Sequence, residues 1–366
     1  MIWLSLLAFM STVAAALGVM RWAARHRIVY AQDKPQRFHL GNVPRLGGLA
    51  IFAGLSLSWG AGRLTSWLGD PSSLHLDDWI VWWWVALLPA VVGGMIEDVT
   101  QRLAPRYRLL LSSLTALLAV GLLGLRLPSV GVPWIDAAWA DVPWLGVLVA
   151  LLAVAGLPHA FNIIDGYNGL SSMVAVIVCL ALAHVALQVG DRGLAAALVS
   201  LAAATGGFLV WNYPRGLLFA GDGGAYIWGV VIAFGSLSLV QRNPEVSPWF
   251  PMLLLIYPVW ETIFSIYRRL VRGVSPGVAD ALHFHQLIYR RIVRRVLDDD
   301  AARRMLRRNS RTSPYLWAFT LLTVVPALLF WRHGWVLMAF CVVFVISYVA
   351  AYLAIVRFKV PSWFQP

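Results

Sequence analysis

Charge is scarce in this chain and cysteine almost absent. Only 13% of the 366 residues are Asp, Glu, Lys or Arg, about half the share found in a soluble globular domain. With 60% hydrophobic residues and a mean hydropathy of +0.73, a water-soluble fold is excluded. The two cysteines, Cys179 and Cys341, lie inside apolar runs at no disulfide or metal-site spacing. They read as small core or lipid-facing residues. Alternating segments of about ten residues are missing too, which disfavours a β-barrel. No basic cluster precedes the first apolar run, so residues 1–20 are expected to form a retained first helix rather than a cleaved signal. Internal repeats and a separate soluble domain are not apparent, and 1–366 reads as one membrane domain.

What the chain does have is long apolar runs. A helix needs about 20 such residues to cross a bilayer. Eleven runs qualify: 1–20, 46–68, 79–96, 108–126, 144–162, 169–189, 194–211, 224–241, 249–267, 314–331 and 334–356. The fold class is therefore an all-α polytopic membrane protein with about eleven transmembrane helices.

The net charge of +12 could suggest nucleic acid, but its placement argues for a membrane instead. With the N-terminus outside, segments 21–45, 97–108, 212–224, 268–313 and the tail face inward and hold 24 of the 29 Lys and Arg residues. The positive-inside rule then predicts N-out and C-in, with a cytoplasmic C-terminus. The same parity puts Glu97, Asp98, Asp165 and Asp222 on the cytoplasmic side, each where an apolar run meets a polar turn. Ionisable groups near hydrocarbon are costly, so they mark a candidate active site at that face.

Five inner segments carry the chemistry. The first joins Lys34, Arg37 and His39 to Arg45 and the Gly47–Gly48 pair. Its cations suit phosphates, or equally an anchor on lipid headgroups. At the end of the third run stands Gly93-Gly-Met-Ile-Glu97-Asp98, whose adjacent carboxylates read either as a cation or nucleophile site or as local ion-pairing groups. At the end of the fifth, Asn162 and Asp165 are three residues apart and share a face if the helix continues that far. Asn168 follows, between Gly166 and Gly169 in the same turn. Amide and carboxylate together suit a uracil or sugar edge, whereas a plain helix end would need only a cap.

After the seventh run come Asn212, Phe219 and Gly221-Asp222-Gly223-Gly224. A carboxylate at that helix start can cap it, or hold Mg²⁺ with water and substrate phosphates completing the shell. Phe219 either stacks on a flat base or packs in the core. The last inner segment holds Asp280 and His283-Phe-His285-Gln286, then Arg290, Arg291, Arg294 and Arg295. With no cysteine nearby a zinc site is disfavoured, and a diphosphate contact fits better. Glu261, in Pro258-Val-Trp-Glu261-Thr262, has no assigned role beyond orienting a kink or pairing with a basic group.

With these motifs in order, the chain resembles the polyprenyl-phosphate N-acetylhexosamine-1-phosphate transferase superfamily, glycosyltransferase family 4. It is more similar to the WecA-like branch of O-antigen and exopolysaccharide initiators than to the MraY branch. The resemblance covers nearly the whole chain. It implies transfer of N-acetylhexosamine-1-phosphate from a UDP-sugar to polyprenyl (undecaprenyl) phosphate, with release of UMP, in a bacterial inner membrane. It implies Mg²⁺, with Mn²⁺ as an alternative, at Asp222. The implied catalytic set is Asp98, Glu97, Asp165 and His283; the implied substrate contacts are Asn162, Asn168, Asn212, Phe219, His285, Lys34 and Arg45. UDP-N-acetylhexosamine, the lipid phosphate and the membrane are the expected partners, with a homodimer allowed and nucleic acid not expected.

Two positions depart from the family pattern. Glu97 stands where a second Asp is common, and its extra methylene shifts the carboxylate by roughly 1 Å, a displacement catalytic geometry tolerates poorly. Asn168 replaces an Asp, keeping the hydrogen-bonding shape without the charge. These departures keep a catalytically inactive scaffold open as a reading. A transporter or flippase is the alternative from another class, though it would be expected to carry its ionisable groups near the midplane.

Overall fold

A computed structural model describes residues 1–26, 42–68, 76–273, 282–293 and 300–357. The elements are α1 (Ile2–Arg25), α2 (Gly47–Trp67), α3 (Trp79–Thr100), α4 (Pro105–Leu123), α5 (Pro133–Asp141), α6 (Trp144–Ile164), α7 (Leu170–Gln188), α8 (Arg192–Asn212), α9 (Gly221–Arg242), α10 (Trp249–Leu254), α11 (Ile256–Val271), α12 (Phe284–Arg291), α13 (Ala301–Leu329) and α14 (Gly334–Val356). All described regular structure is helical, as the apolar runs require. Every one of the eleven runs contains helix.

Nine of the described helices are long and apolar enough to cross a bilayer: α1, α3, α4, α6, α7, α8, α9, α13 and α14. The runs 46–68 and 249–267 fall outside that set. The first is helix α2, but five glycines, three serines, a threonine and Arg63 dilute its hydropathy. The second breaks at Leu255 into the short α10 and the longer α11. Two short helices, α5 and α12, lie between the runs; neither is long enough to read as a span from hydropathy.

The bundle is organised around α9, in which every residue from Gly221 to Val240 is buried. It packs against α2, α3, α6, α7 and α8. A lipid-facing helix need only be apolar, whereas a central one must let neighbours approach, and small residues permit this. Gly94 of α3 shows how close the approach is, because a methyl group there would lie 2.6 Å from the Cα of Gly223. Gly94→Ala is therefore expected to force α3 off α9, at roughly 1–3 kcal/mol for overpacking. Thermal unfolding of the purified protein in detergent should fall by at least about 2 °C. An unchanged midpoint would mean that the two helices are not in close contact.

Consecutive long helices alternate in direction. As a result, the C-terminal ends of α3, α6 and α8 gather with the N-terminal ends of α2, α4, α7 and α9. Hydrogen bonds fix this shared end. The N–H groups of Gly47 and Gly48 donate to the carbonyls of Phe219 and Ala220 at 2.8 Å each, and Phe219 N–H donates to Pro44 at 2.8 Å.

Candidate active site

The acidic motifs meet at that end. Asp222 occupies the first turn of α9, is 4% exposed, and receives two side chains. Arg108, from the first turn of α4, donates to Oδ2 at 2.5 Å, and Asn162, near the end of α6, donates to Oδ1 at 2.9 Å. A lone carboxylate buried this far would be strongly disfavoured, and pairing with the guanidinium offsets the cost. Behind Arg108 the wall stays polar, since Ser112 and His159 are 3.0 Å apart and the His159 ring meets Tyr226 edge-on at 5.3 Å.

Asp98 sits beside this cluster in a different posture. Both its oxygens accept backbone N–H groups from the start of α9, those of Asp222 and Gly223, at 2.8 Å each. The first N–H groups of a helix lack internal partners, and a carboxylate there also complements the helix dipole. Asp98 thus caps α9 from a neighbouring helix and fixes the residue that carries Asp222. Gly221 completes the joint. Its φ of +72° favours glycine, and any side chain at this position would collide with Asp98 and the Arg45 carbonyl.

Glu97 points the other way. Its carboxylate accepts Leu103 N–H at 2.7 Å, closing the α3–α4 turn, and it remains half-exposed. The neighbouring acids therefore point to different partners.

Asn162 and Asp165 also separate, because α6 ends at Ile164 and leaves Asp165 as its cap residue. Asp165 accepts the Ser171 hydroxyl instead. Burial pushes its carboxyl up to about 6, with the charge of Asp222 adding to the rise and the Ser171 hydroxyl and Arg45 opposing it. Arg45 is partly buried and its charge acts on both Asp98 and Asp165, so it belongs to the site.

The two remaining asparagines are framework groups. Asn212 accepts Gly169 N–H at 2.6 Å and donates to the Leu218 carbonyl at 2.8 Å, joining the α6–α7 turn to the segment before α9. Asn168 is 2% exposed; its amide donates to the Pro214 carbonyl at 3.0 Å, while its backbone bonds Asn309 and Ser313 of α13. Both shape the turn beside Asp165. Phe219 is half-buried at the mouth of the same segment. Lys34, Arg37, His39, Asp280, Arg294 and Arg295 lie outside the described residues.

The histidines come from the α11–α12 region. His283 precedes α12 and stacks on His285 with ring centroids 5.4 Å apart and planes 9° from parallel. His285 rests on the Asp165 turn, where a methyl group at Gly166 would lie 2.8 Å from its Nε2. Glu261 of α11 lies 3.0 Å from the His283 ring. Arg108 and Glu261 were the positions that sequence reasoning left without a role. For Arg108 the available signal was a cation at the very start of an apolar helix; for Glu261 it was a carboxylate inside an apolar run.

The donor set bears on Mg²⁺. Among the described residues no three His, Cys, Asp or Glu side chains converge as a closed metal site. A Mg²⁺ shared with substrate phosphates needs only one or two carboxylates and keeps several waters. Asp222 supplies one carboxylate, and rotation of the Asn162 amide would turn an oxygen toward the same place. The residues fit such an ion.

Fold and site together define a polytopic membrane protein with buried acidic and basic side chains gathered at one set of helix ends. The family model described as glycosyl transferase family 4 matches residues 80–240, the segment that contains Asp98, Arg108, Asn162, Asp165 and Asp222. The probable undecaprenyl-phosphate N-acetylglucosaminyl 1-phosphate transferase of Bacillus subtilis is 27% identical over 258 residues, covering 70% of this chain and 68% of that protein. The undecaprenyl-phosphate alpha-N-acetylglucosaminyl 1-phosphate transferase of Escherichia coli K12 is 26% identical over 265 residues, 70% of this chain and 69% of that protein. The Thermotoga maritima protein of the same name is 30% identical over 137 residues, 37% of this chain and 41% of that protein. Over residues 80–240, and by these relatives, the chain is similar to glycosyl transferase family 4.

Proposed function

We propose that this protein transfers N-acetylhexosamine-1-phosphate from a UDP-sugar to undecaprenyl phosphate, releasing UMP and starting a lipid-linked cell-envelope glycan. The relatives' names make UDP-N-acetylglucosamine the first donor to test. The observation that carries the reading is the convergence of Asp222, Asn162, Arg108 and Asp98 on one helix start, with Arg45 beside them. In the proposed orientation the chain spans a bacterial inner membrane about eleven times, N-out and C-in, with this end in the cytoplasm.

Phosphoryl transfer needs in-line positioning and charge neutralisation more than covalent help from the protein. The second pKa of a phosphate monoester lies near 6, so the lipid phosphate is already largely dianionic at pH 7. It attacks the β-phosphorus of the donor directly, without a strong base. That suits Asp98, whose oxygens are occupied in holding Asp222. Arg108 and Arg45 draw the two anionic substrates together and bind their phosphate oxygens. Asp222 would hold Mg²⁺, which would neutralise charge on the departing UMP.

The test is UMP release by purified protein in detergent, with undecaprenyl phosphate and a panel of UDP-N-acetylhexosamines. Chelation with EDTA is expected to abolish release, and added Mg²⁺ or Mn²⁺ to restore it. Absence of release with every donor, beside an active control enzyme in the same lipid, would favour an inactive scaffold.

A further inference from the structure

Glu261 has no exposed surface, and the reaction proposed above makes no direct use of it. Its oxygens nevertheless collect three donors, two from α12 and its N-cap and one from α14. His283 Nδ1 lies 3.0 Å from Oε1, Phe284 N–H donates to Oε2 at 3.2 Å, and the Tyr348 hydroxyl of α14 donates to Oε2 at 2.7 Å. An ionised carboxylate only accepts, so the ring nitrogen facing it must carry a proton. A carboxylate bound to one imidazole nitrogen fixes both the tautomer and the ring plane. The parallel ring of His285 restricts that plane from the other side. His285 in turn touches the Asp165 turn at Gly166.

We propose that Glu261, braced by Tyr348, is a positioning residue that holds His283 with its proton on Nδ1 and reserves Nε2 for the diphosphate of the sugar donor. The role of Nε2 rests on the transferase reading; the hold on Nδ1 does not. A structural staple between α11, α12 and α14 would need the same bonds but would leave catalysis indifferent to the tautomer.

Two measurements on the full-length protein test this. The first is ¹⁵N NMR of ring-labelled histidine in detergent, with the His283 signals assigned from His283→Gln. Nδ1 is expected to be protonated in the wild type, and Glu261→Gln to give a mixture of tautomers. A bare Nδ1 in the wild type overturns the proposal. The second is steady-state UMP release. Glu261→Gln is expected to lower kcat about 10- to 100-fold, as loss of a group orienting a functional histidine does, with KM for the donor changed less than about 3-fold.

The Glu261→Gln, His283→Gln double variant should be no slower than His283→Gln alone. Wild-type kcat in Glu261→Gln, or losses that multiply in the double variant, would overturn the positioning role. Should Glu261→Gln fail to fold, Tyr348→Phe removes a single donor and is expected to lower kcat about 3- to 10-fold; an unchanged rate would count against the brace. If the wild type releases no UMP from any donor, the transferase reading falls, and the NMR result still decides whether Glu261 sets the tautomer.

Discussion

Asp222→Asn is expected to reduce UMP release about 10³-fold while leaving the protein folded. The amide keeps the size of the side chain and can still accept from Asn162, but it removes the negative charge paired with Arg108. Metal-assisted charge stabilisation is worth several kcal/mol in the transition state, and about 4 kcal/mol corresponds to a factor of about 10³ in rate. The change also leaves the Arg108 guanidinium unbalanced. That side chain keeps 24% of its surface exposed, so water can screen it and the loss of stability should be small. Binding of Mn²⁺, followed by electron paramagnetic resonance without substrate, should weaken in parallel. A variant within about tenfold of the wild-type rate would remove Asp222 from the centre of the reaction.

Asp98→Ala should behave differently, because it damages the frame before the chemistry. Its side chain satisfies two buried N–H groups at the start of α9, and each left unpaired costs about 1–3 kcal/mol. The variant is expected to unfold at a temperature lower by several degrees and to lose nearly all activity, since Asp222 rides on the turn that Asp98 secures. Asp98→Asn should retain one acceptor and hence part of the stability, with activity between the two. Thermal unfolding and UMP release measured on the same preparations separate the effects. An Asp98→Ala protein as stable as wild type but inactive would show that Asp98 works on substrate rather than on α9.

The helices were legible because a membrane helix is read from composition. All eleven apolar runs returned as helix, and the deviations have local causes. Run 249–267 splits at Leu255 because prolines at 251 and 258 flank that point, and α2 carries too many small and polar residues to match its neighbours in hydropathy.

The site was legible as a set of motifs but not as a set of contacts. Asp222 and Asn162 are sixty positions apart, and only the antiparallel packing of α6 and α9 brings them to 2.9 Å. Asn168 and Asn212 looked like ligands because polar residues among apolar ones are rare. Their side chains turn out to bond backbone groups of other segments, with the Ser310 hydroxyl also beside Asn168, a need that no local pattern displays. Arg108 was hidden in plain view among Arg102, Arg106 and its own helix start, where charge alone does not tell a headgroup contact from a buried partner. Glu261 waited on Tyr348, eighty-seven residues later in the chain.

The complete enclosure of α9 bears on how such a protein can diversify. A helix touched on every side by neighbours has no free face on which substitutions accumulate harmlessly, and its glycines leave no room for added bulk. The post that carries Asp222 is thus a fixed point, and selectivity for a new sugar has to be written elsewhere. The short α12 with its histidine pair lies against the Asp165 turn, and the C-terminal end of α11 leaves Ile266, Tyr267 and Leu270 uncovered. Exchange of these two segments between homologous chains should move donor preference while the phosphate chemistry stays where it is.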